Sequence, residues 1–256
     1  MSYNDQMKVS PLLKYLSFQL YTAILLSPKI SEKSDPEYLH KFRVAIRRSH
    51  SLITLYMPEQ YAFLDLLKGI VQKSNELREL DVFSKERELL YYPHLQKALQ
   101  QHRKTLFDET LTLKARLKTN RLLNCVYDDL HANTIGLDSE ELISRAQTHY
   151  KQCMQSYRDI DKKTTEKQLH RLRLDFKIAR YAFEFLTESA LKDEKKKLDR
   201  CKQKQDQLGS IQDTANQIDW IKHFCEVHQI QECKELIKML KSRLQTLKKH
   251  ARSADS

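Results

Sequence analysis

His40, Arg43, Arg47 and His50 recur at the same spacing as His170, Arg173, Lys177 and Arg180. On a helix, at about 100° per residue, offsets 0, +3, +7 and +10 fall within one arc of roughly 80°. Each stretch therefore predicts a helix with a cationic edge. Such an edge suits an extended anion with regularly repeated charge. A guanidinium can hold two oxygens of one phosphate, an ammonium adds a point charge, and a neutral imidazole still donates a hydrogen bond. Cations in a row hold a phosphate backbone but read no base edges.

The helices that must carry these edges are legible from the same residues. In HKFRVAIRRSHSLITLY, Phe42, Ile46, Ile53 and Tyr56 lie mainly opposite the basic row. Leu172, Phe176, Phe183 and Leu186 do the same in HRLRLDFKIARYAFEFL, so a core anchors each stripe. Asp35 and Pro36 supply an N-cap and a first helical position for motif helix 36–57, which ends at Met57-Pro58. Thr164 or Thr165 starts motif helix 165–188. An amphipathic helix from Pro11 to about Ser27 precedes the first stripe. Between Glu59 and Leu90 helix is expected, interrupted at Gly69 or around Ser74-Asn75, and one long helix should run from Pro93 to Asn124 or beyond. The stretch Asn133–Asp138 marks a boundary, after which Asp138 or Ser139 caps a helix to about Arg158. Helices over Ala190–Val227 and Glu232–His250 and a frayed tail, ARSADS, complete the chain.

The likeness extends downstream of the stripes. LLKGIVQKSNELRELDVF follows the first and CKQKQDQLGSIQDTANQI the second. With Ser74-Asn75 placed on Leu208-Gly209, Lys68 meets Lys202, Arg78 meets Gln212 and Glu79 meets Asp213. The repeat is about 130 residues, too long for a solenoid. The expectation is all-α, with two pseudo-symmetric antiparallel helical bundles from an internal duplication. The halves are 1–134 and 135–256.

Composition agrees. Only Gly69, Gly136 and Gly209 are glycine, and the last of five prolines is Pro93. So few breakers in a Leu-, Lys- and Glu-rich chain imply helix throughout. The net charge of +11 is shared, with 20 Lys and Arg against 15 Asp and Glu in residues 1–134 and 25 against 19 in the rest. A bipartite basic surface suggests an anionic partner. The five cysteines form no CxxC pair, which favours free thiols in a reducing, cytoplasmic compartment over a disulfide framework or zinc. Lys14 and Gln19 interrupt the apolar N-terminal run, which argues against a signal or membrane span.

His40-x-x-Arg43-x-x-x-Arg47-Arg48, Arg78-Glu79-Leu80-Asp81-Val82, His170-x-x-Arg173-x-x-x-Lys177-x-x-Arg180-Tyr181 and Leu208-Gly209-x-x-Gln212-Asp213 together resemble the CHAD family, the conserved histidine α-helical domain. The resemblance runs from about residue 10 to 250. It implies binding of inorganic polyphosphate by the motif helices and, in bacteria and archaea, association with polyphosphate granules. The chain departs from the pattern at His50, Asn75 and Glu79, where arginine, glycine and aspartate are usual.

The candidate polyphosphate-binding residues are His40, Arg43, Arg47, Arg48, His50, Lys68, Arg78, His170, Arg173, Lys177, Arg180, Tyr181 and Lys202. For each arginine the competing reading is an internal salt bridge, and for each histidine a buried hydrogen bond to backbone. Tyr181 reads equally as core. Glu79, Asp81 and Asp213 read as partners for Arg or Lys rather than as catalytic or metal-binding acids. Lys195, Lys196, Lys197, Arg200 and Lys204 read mostly as a solvated face. The sequence holds no HExxH helix, phosphate-binding glycine loop or G-x-S-x-G elbow, so neither an enzyme nor a cofactor is expected. The alternatives are a nucleic-acid-binding helical protein that contacts the phosphate backbone and a metal-dependent phosphohydrolase.

Overall fold

The computed structural model describes residues 10–132, 137–161, 163–231 and 233–253. Among them are ten α-helices and no strand. α1 (Pro11–Leu26) ends in a 3₁₀ turn, Ser27–Lys29, and α2 (Pro36–Tyr56) carries the first stripe. Asp35 caps α2, its Oδ1 accepting the Glu37 amide at 2.9 Å. The chain then breaks at Lys73-Ser74 into α3 (Tyr61–Gln72) and α4 (Asn75–Phe83), with Gly69 inside α3. A 3₁₀ turn, Arg87–Tyr91, leads to α5 (Pro93–Thr110) and α6 (Leu113–Ala132).

The long helix expected after Pro93 is two helices, broken at Leu111-Thr112. Neither glycine nor proline marks that break. The Thr110 hydroxyl bonds back to the Leu106 carbonyl at 2.6 Å, and Thr112 Oγ1 accepts the Ala115 amide at 3.1 Å. Threonine side chains thus close one helix and open the next. The boundary expected at 133–138 lies largely outside the described residues, but Asp138 Oδ1 caps α7 (Ser139–Arg158) through the Glu141 amide. Thr165 and Gln168 form a reciprocal capping box at the start of α8 (Glu166–Glu188), the second striped helix. α9 (Lys195–His228) runs unbroken, and α10 (Cys233–Ser253) returns along it. Helix thus persists into the stretch expected to fray.

One apolar cluster includes residues from both 1–134 and 135–256. Phe176, Phe183 and Phe185 of α8 are fully buried, each burial contributing roughly 2 kcal/mol. Phe185 meets the edges of Tyr15 and Tyr56 at centroid distances of 5.2 and 6.1 Å. The Tyr15 hydroxyl donates to Glu188 at 2.9 Å, and the Tyr56 hydroxyl to the Leu142 carbonyl at 3.1 Å. These contacts hold α2 against α8, and that pairing positions the site.

The reading of five free thiols fails for one pair. The α9–α10 hairpin brings Cys225 and Cys233 to a Cα separation of 6.3 Å, where they are disulfide-bonded. Cys125, Cys153 and Cys201 are free. Among the described residues, no helix is long and apolar enough to cross a membrane.

Candidate polyanion-binding cleft

α2 and α8 present their basic edges to one cleft of about 870 Å³, walled by α3, α4 and α9. α2 contributes His40, Arg43, Arg47 and His50, and α8 contributes His170, Arg173, Lys177, Arg180 and Tyr181. Lys68 comes from α3 and Arg78 from α4. Eleven of the thirteen candidate residues are thereby brought together.

Two are not. Arg48 turns away from the cleft and pairs with Glu184 at 3.0 Å and Glu188 at 3.8 Å. At +8 in the stripe's register it lies roughly 80° beyond the basic arc. Lys202 is exposed and does not line the cleft. Its aligned counterpart Lys68 precedes the α3–α4 break, whereas Lys202 lies on a continuous helix. The two segments diverge upstream of the break, so the equivalence is lost.

The cleft arginines differ in what holds them. Arg43 is 2 % exposed. It donates to the Val71 carbonyl at 2.8 Å, to Asn75 Oδ1 at 2.7 Å and to the Ser74 hydroxyl. The guanidinium of Arg43 therefore ties α2 to the α3–α4 junction. Arg173 lies over Gly209, where a Cβ would stand 3.1 Å from its Nε, and reaches Asp213 at 3.4 Å. Arg180 lies 3.3 Å from Glu184 and 4.5 Å above the Tyr181 ring, which is itself buried. Arg47, Lys68, Arg78 and Lys177 have no ion-pair partner among the described residues.

This crowding shows in the protonation equilibria. Burial, then the neighbouring Arg47 and Arg173, push the Lys177 ammonium down to about 8. Burial and like charges also lower Arg47, as well as His40 (Arg78) and His50 (Lys177 and Lys68). Glu79 is raised, first by burial and then by Asp213. Four buried polar atoms of cleft residues have neither a hydrogen-bond nor an ion-pair partner among the described residues: Arg43 Nε, His170 Nδ1, Arg173 Nε and Gln205 Oε1. Native interiors satisfy nearly all such atoms, so these are the cleft groups left to solvent or to a bound molecule.

Two of the three acids are paired as counter-charges. Asp81 is buried against Arg103 and Asp213 faces Arg173. Glu79 lines the cleft without an ion pair among the described residues. No group of three or more His, Cys, Asp or Glu among the described residues could hold a metal ion. The candidate set missed the carboxamides Gln72, Asn75, Gln205, Gln212, Asn216 and Gln217, and Trp220, all of which line the cleft. On α9 the signal was available: positions 205, 209, 212, 213, 216 and 220 share one helical face.

A family model, the CHAD domain, matches residues 15–222. The chain belongs to the CHAD family. The fold agrees: the crystal structure of the CHAD domain from the plant Ricinus communis is similar over 95% of this chain and 84% of that one, with a TM-score of 0.67 and 21% identity. No curated protein matches the chain. This CHAD domain thus places its two histidine-arginine helices side by side.

Proposed function

We propose that the cleft binds inorganic polyphosphate without turning it over, and that the chain's role is to hold or localise that polymer, including on polyphosphate granules. The observation that carries this is that both basic edges line one water-accessible cleft in which Arg47, Lys177, Arg78 and Lys68 lack carboxylate partners. A linear phosphate polymer supplies the missing charge and hydrogen-bond acceptors along the row. The recurrence of the stripe, read as a duplication, gives the polymer two basic edges in one cleft.

Arg43 is a poor residue on which to test the reading, because its donors hold the fold. Replacing Arg47 and Lys177 together by Gln should weaken long-chain polyphosphate binding at least tenfold while leaving the helical circular-dichroism spectrum unchanged. Equal affinity in the double variant would refute the cleft as the site. Duplex DNA at matched salt should compete poorly, since a duplex is too wide for a cleft walled by five helices. Purified protein should release no orthophosphate from polyphosphate with or without divalent metal, and metal-dependent release would favour a phosphohydrolase instead.

A further inference from the structure

One end of the cleft carries groups that a bare phosphate polymer does not use. Trp220, the only tryptophan of the chain, is partly buried and lines the cleft from α9. Its indole stacks on Phe224 with centroids 4.8 Å apart and planes at 18°, and the Phe83 ring meets it at 6.4 Å. Its Nε1 donates to Glu76 Oε1 at 3.4 Å, which fixes the ring in its own plane. About one turn earlier, Asn216 and Gln217 also line the cleft. Asn216 Oδ1 accepts from the Gln212 side-chain amide at 2.8 Å, which leaves the Asn216 amide group for another acceptor. Gln217 makes no side-chain hydrogen bond among the described residues. Trp220 follows Asp213, the partner of Arg173 at 3.4 Å, by about two turns, so along α9 the aromatic position lies roughly 10 Å beyond the basic row.

We propose that this end is a nucleobase subsite and that the cleft takes a purine nucleoside polyphosphate, its phosphates on Arg173, Arg47 and Lys177 and its base against Trp220. The phosphate seat rests on the polyphosphate reading, whereas the base seat rests on the aromatic end. Every nucleobase presents a π-face that stacks on an aromatic ring, and a carboxamide can pair with two edge atoms of adenine at once. A ribose and its phosphates bridge the interval between ring and cations. Glu79 suits that bridge: it lines the cleft one turn from Glu76 and faces Asp213. A carboxylate repels a phosphate chain but accepts from ribose hydroxyls, the role an acidic side chain takes in dinucleotide-binding folds. The cleft, about 870 Å³, falls within the roughly 300–1,000 Å³ of small-molecule sites. Phe83 and Tyr181, the other Phe, Tyr or Trp side chains of its lining, are buried. The wall therefore offers a single ring for stacking, whereas proteins that hold single strands set out a ring for each of several successive bases.

Because the chain has one tryptophan, its emission reports on this subsite alone. The intact protein is titrated with adenosine triphosphate, inorganic tripolyphosphate, long-chain polyphosphate and a single-stranded oligodeoxyadenylate without a terminal triphosphate, with affinities read by calorimetry. Adenosine triphosphate should quench Trp220 and bind roughly tenfold tighter than tripolyphosphate, which has as many phosphates and no base. Equal affinity for the two would overturn the subsite, as would nucleotide binding that leaves the emission unchanged. Tighter binding of the oligonucleotide than of the nucleotide would overturn it in favour of a strand. Trp220→Leu, checked for native helix content by circular dichroism, should lose the preference for the nucleotide over tripolyphosphate. Asn216→Ala with Gln217→Ala leaves the Phe224 stack in place and should cut that preference at least threefold. A preference retained in full by either variant would sink the subsite. Tight long-chain polyphosphate binding with no nucleotide preference would leave the polyphosphate reading standing and the subsite refuted. Preferred, quenching nucleotide binding that long-chain polyphosphate does not displace would do the reverse.

Discussion

Arg43 directs its donors to Val71, Ser74 and Asn75, whereas Arg47, one turn further along α2, faces Lys177 and Arg173 and makes no ion pair among the described residues. Position on a helical arc could not separate these roles, because the arc shows which way a side chain points and not what arrives opposite it. Replacing Arg43 with Met leaves the Val71 carbonyl and the Asn75 side chain without their donor. The variant should lose about 2 to 3 kcal/mol of stability, read as a lower urea midpoint. An unchanged midpoint would assign Arg43 to ligand instead of fold. Lys177 should show the opposite sign. Its ammonium titrates near 8 in the folded chain against about 10.4 when unfolded. Between those values the unfolded chain binds more protons, so stability rises with pH across that window. Below 8 the full penalty of the crowded charge remains. Lys177→Met should therefore raise stability at pH 7 by about 1 to 2 kcal/mol while weakening polyphosphate binding, and its advantage should vanish by about pH 10.5. Melting curves at pH 7 and pH 10.5 check both halves, and a variant less stable than the parent at pH 7 would contradict them.

At the scale of elements, caps and periodicity were readable wherever a local residue controls the backbone. Asp35, Asp138 and Thr165 each accept an amide at the helix start they were expected to mark. The Leu111-Thr112 break escaped notice because threonine hydroxyls made it, and threonine occurs as readily inside helices. The comparison of α3–α4 with α9 is instructive. Ser74 interrupts the first, and Gly209 sits within an unbroken α9 where Arg173 needs the space. Gly209→Ala tests this difference. Alanine improves helix propensity by about 1 kcal/mol, but its Cβ would stand 3.1 Å from Arg173 Nε and shift the guanidinium. The melting temperature should hold or rise while polyphosphate affinity drops several-fold. Unchanged affinity would mean that the position of Arg173 does not matter to the ligand.

At the scale of the whole molecule, what the sequence could not supply was the facing of the two basic edges. That facing is set by Phe185 packing between Tyr15 and Tyr56 and by Tyr56 reaching Leu142, contacts between residues far apart in the chain. Periodicity identifies a buried face but does not name its partner. Because the cleft gathers cations from α2, α3, α4 and α8, its affinity should behave as a collective charge effect. Binding of long-chain polyphosphate should weaken linearly on a plot of log affinity against log salt, as counterions released from the polymer are replaced. The slope should count the cations that meet phosphate, so Arg47→Gln with Lys177→Gln should flatten it by about one to two units. Replacing Arg48, which is committed to Glu184 and Glu188, should leave it unaltered. If Arg48→Gln flattens the slope as much as the cleft pair does, the polymer follows the outer surface of α2 and the cleft is not its path. If the slope follows only the cleft pair, the facing of α2 and α8 is what turns two separately weak basic edges into one site.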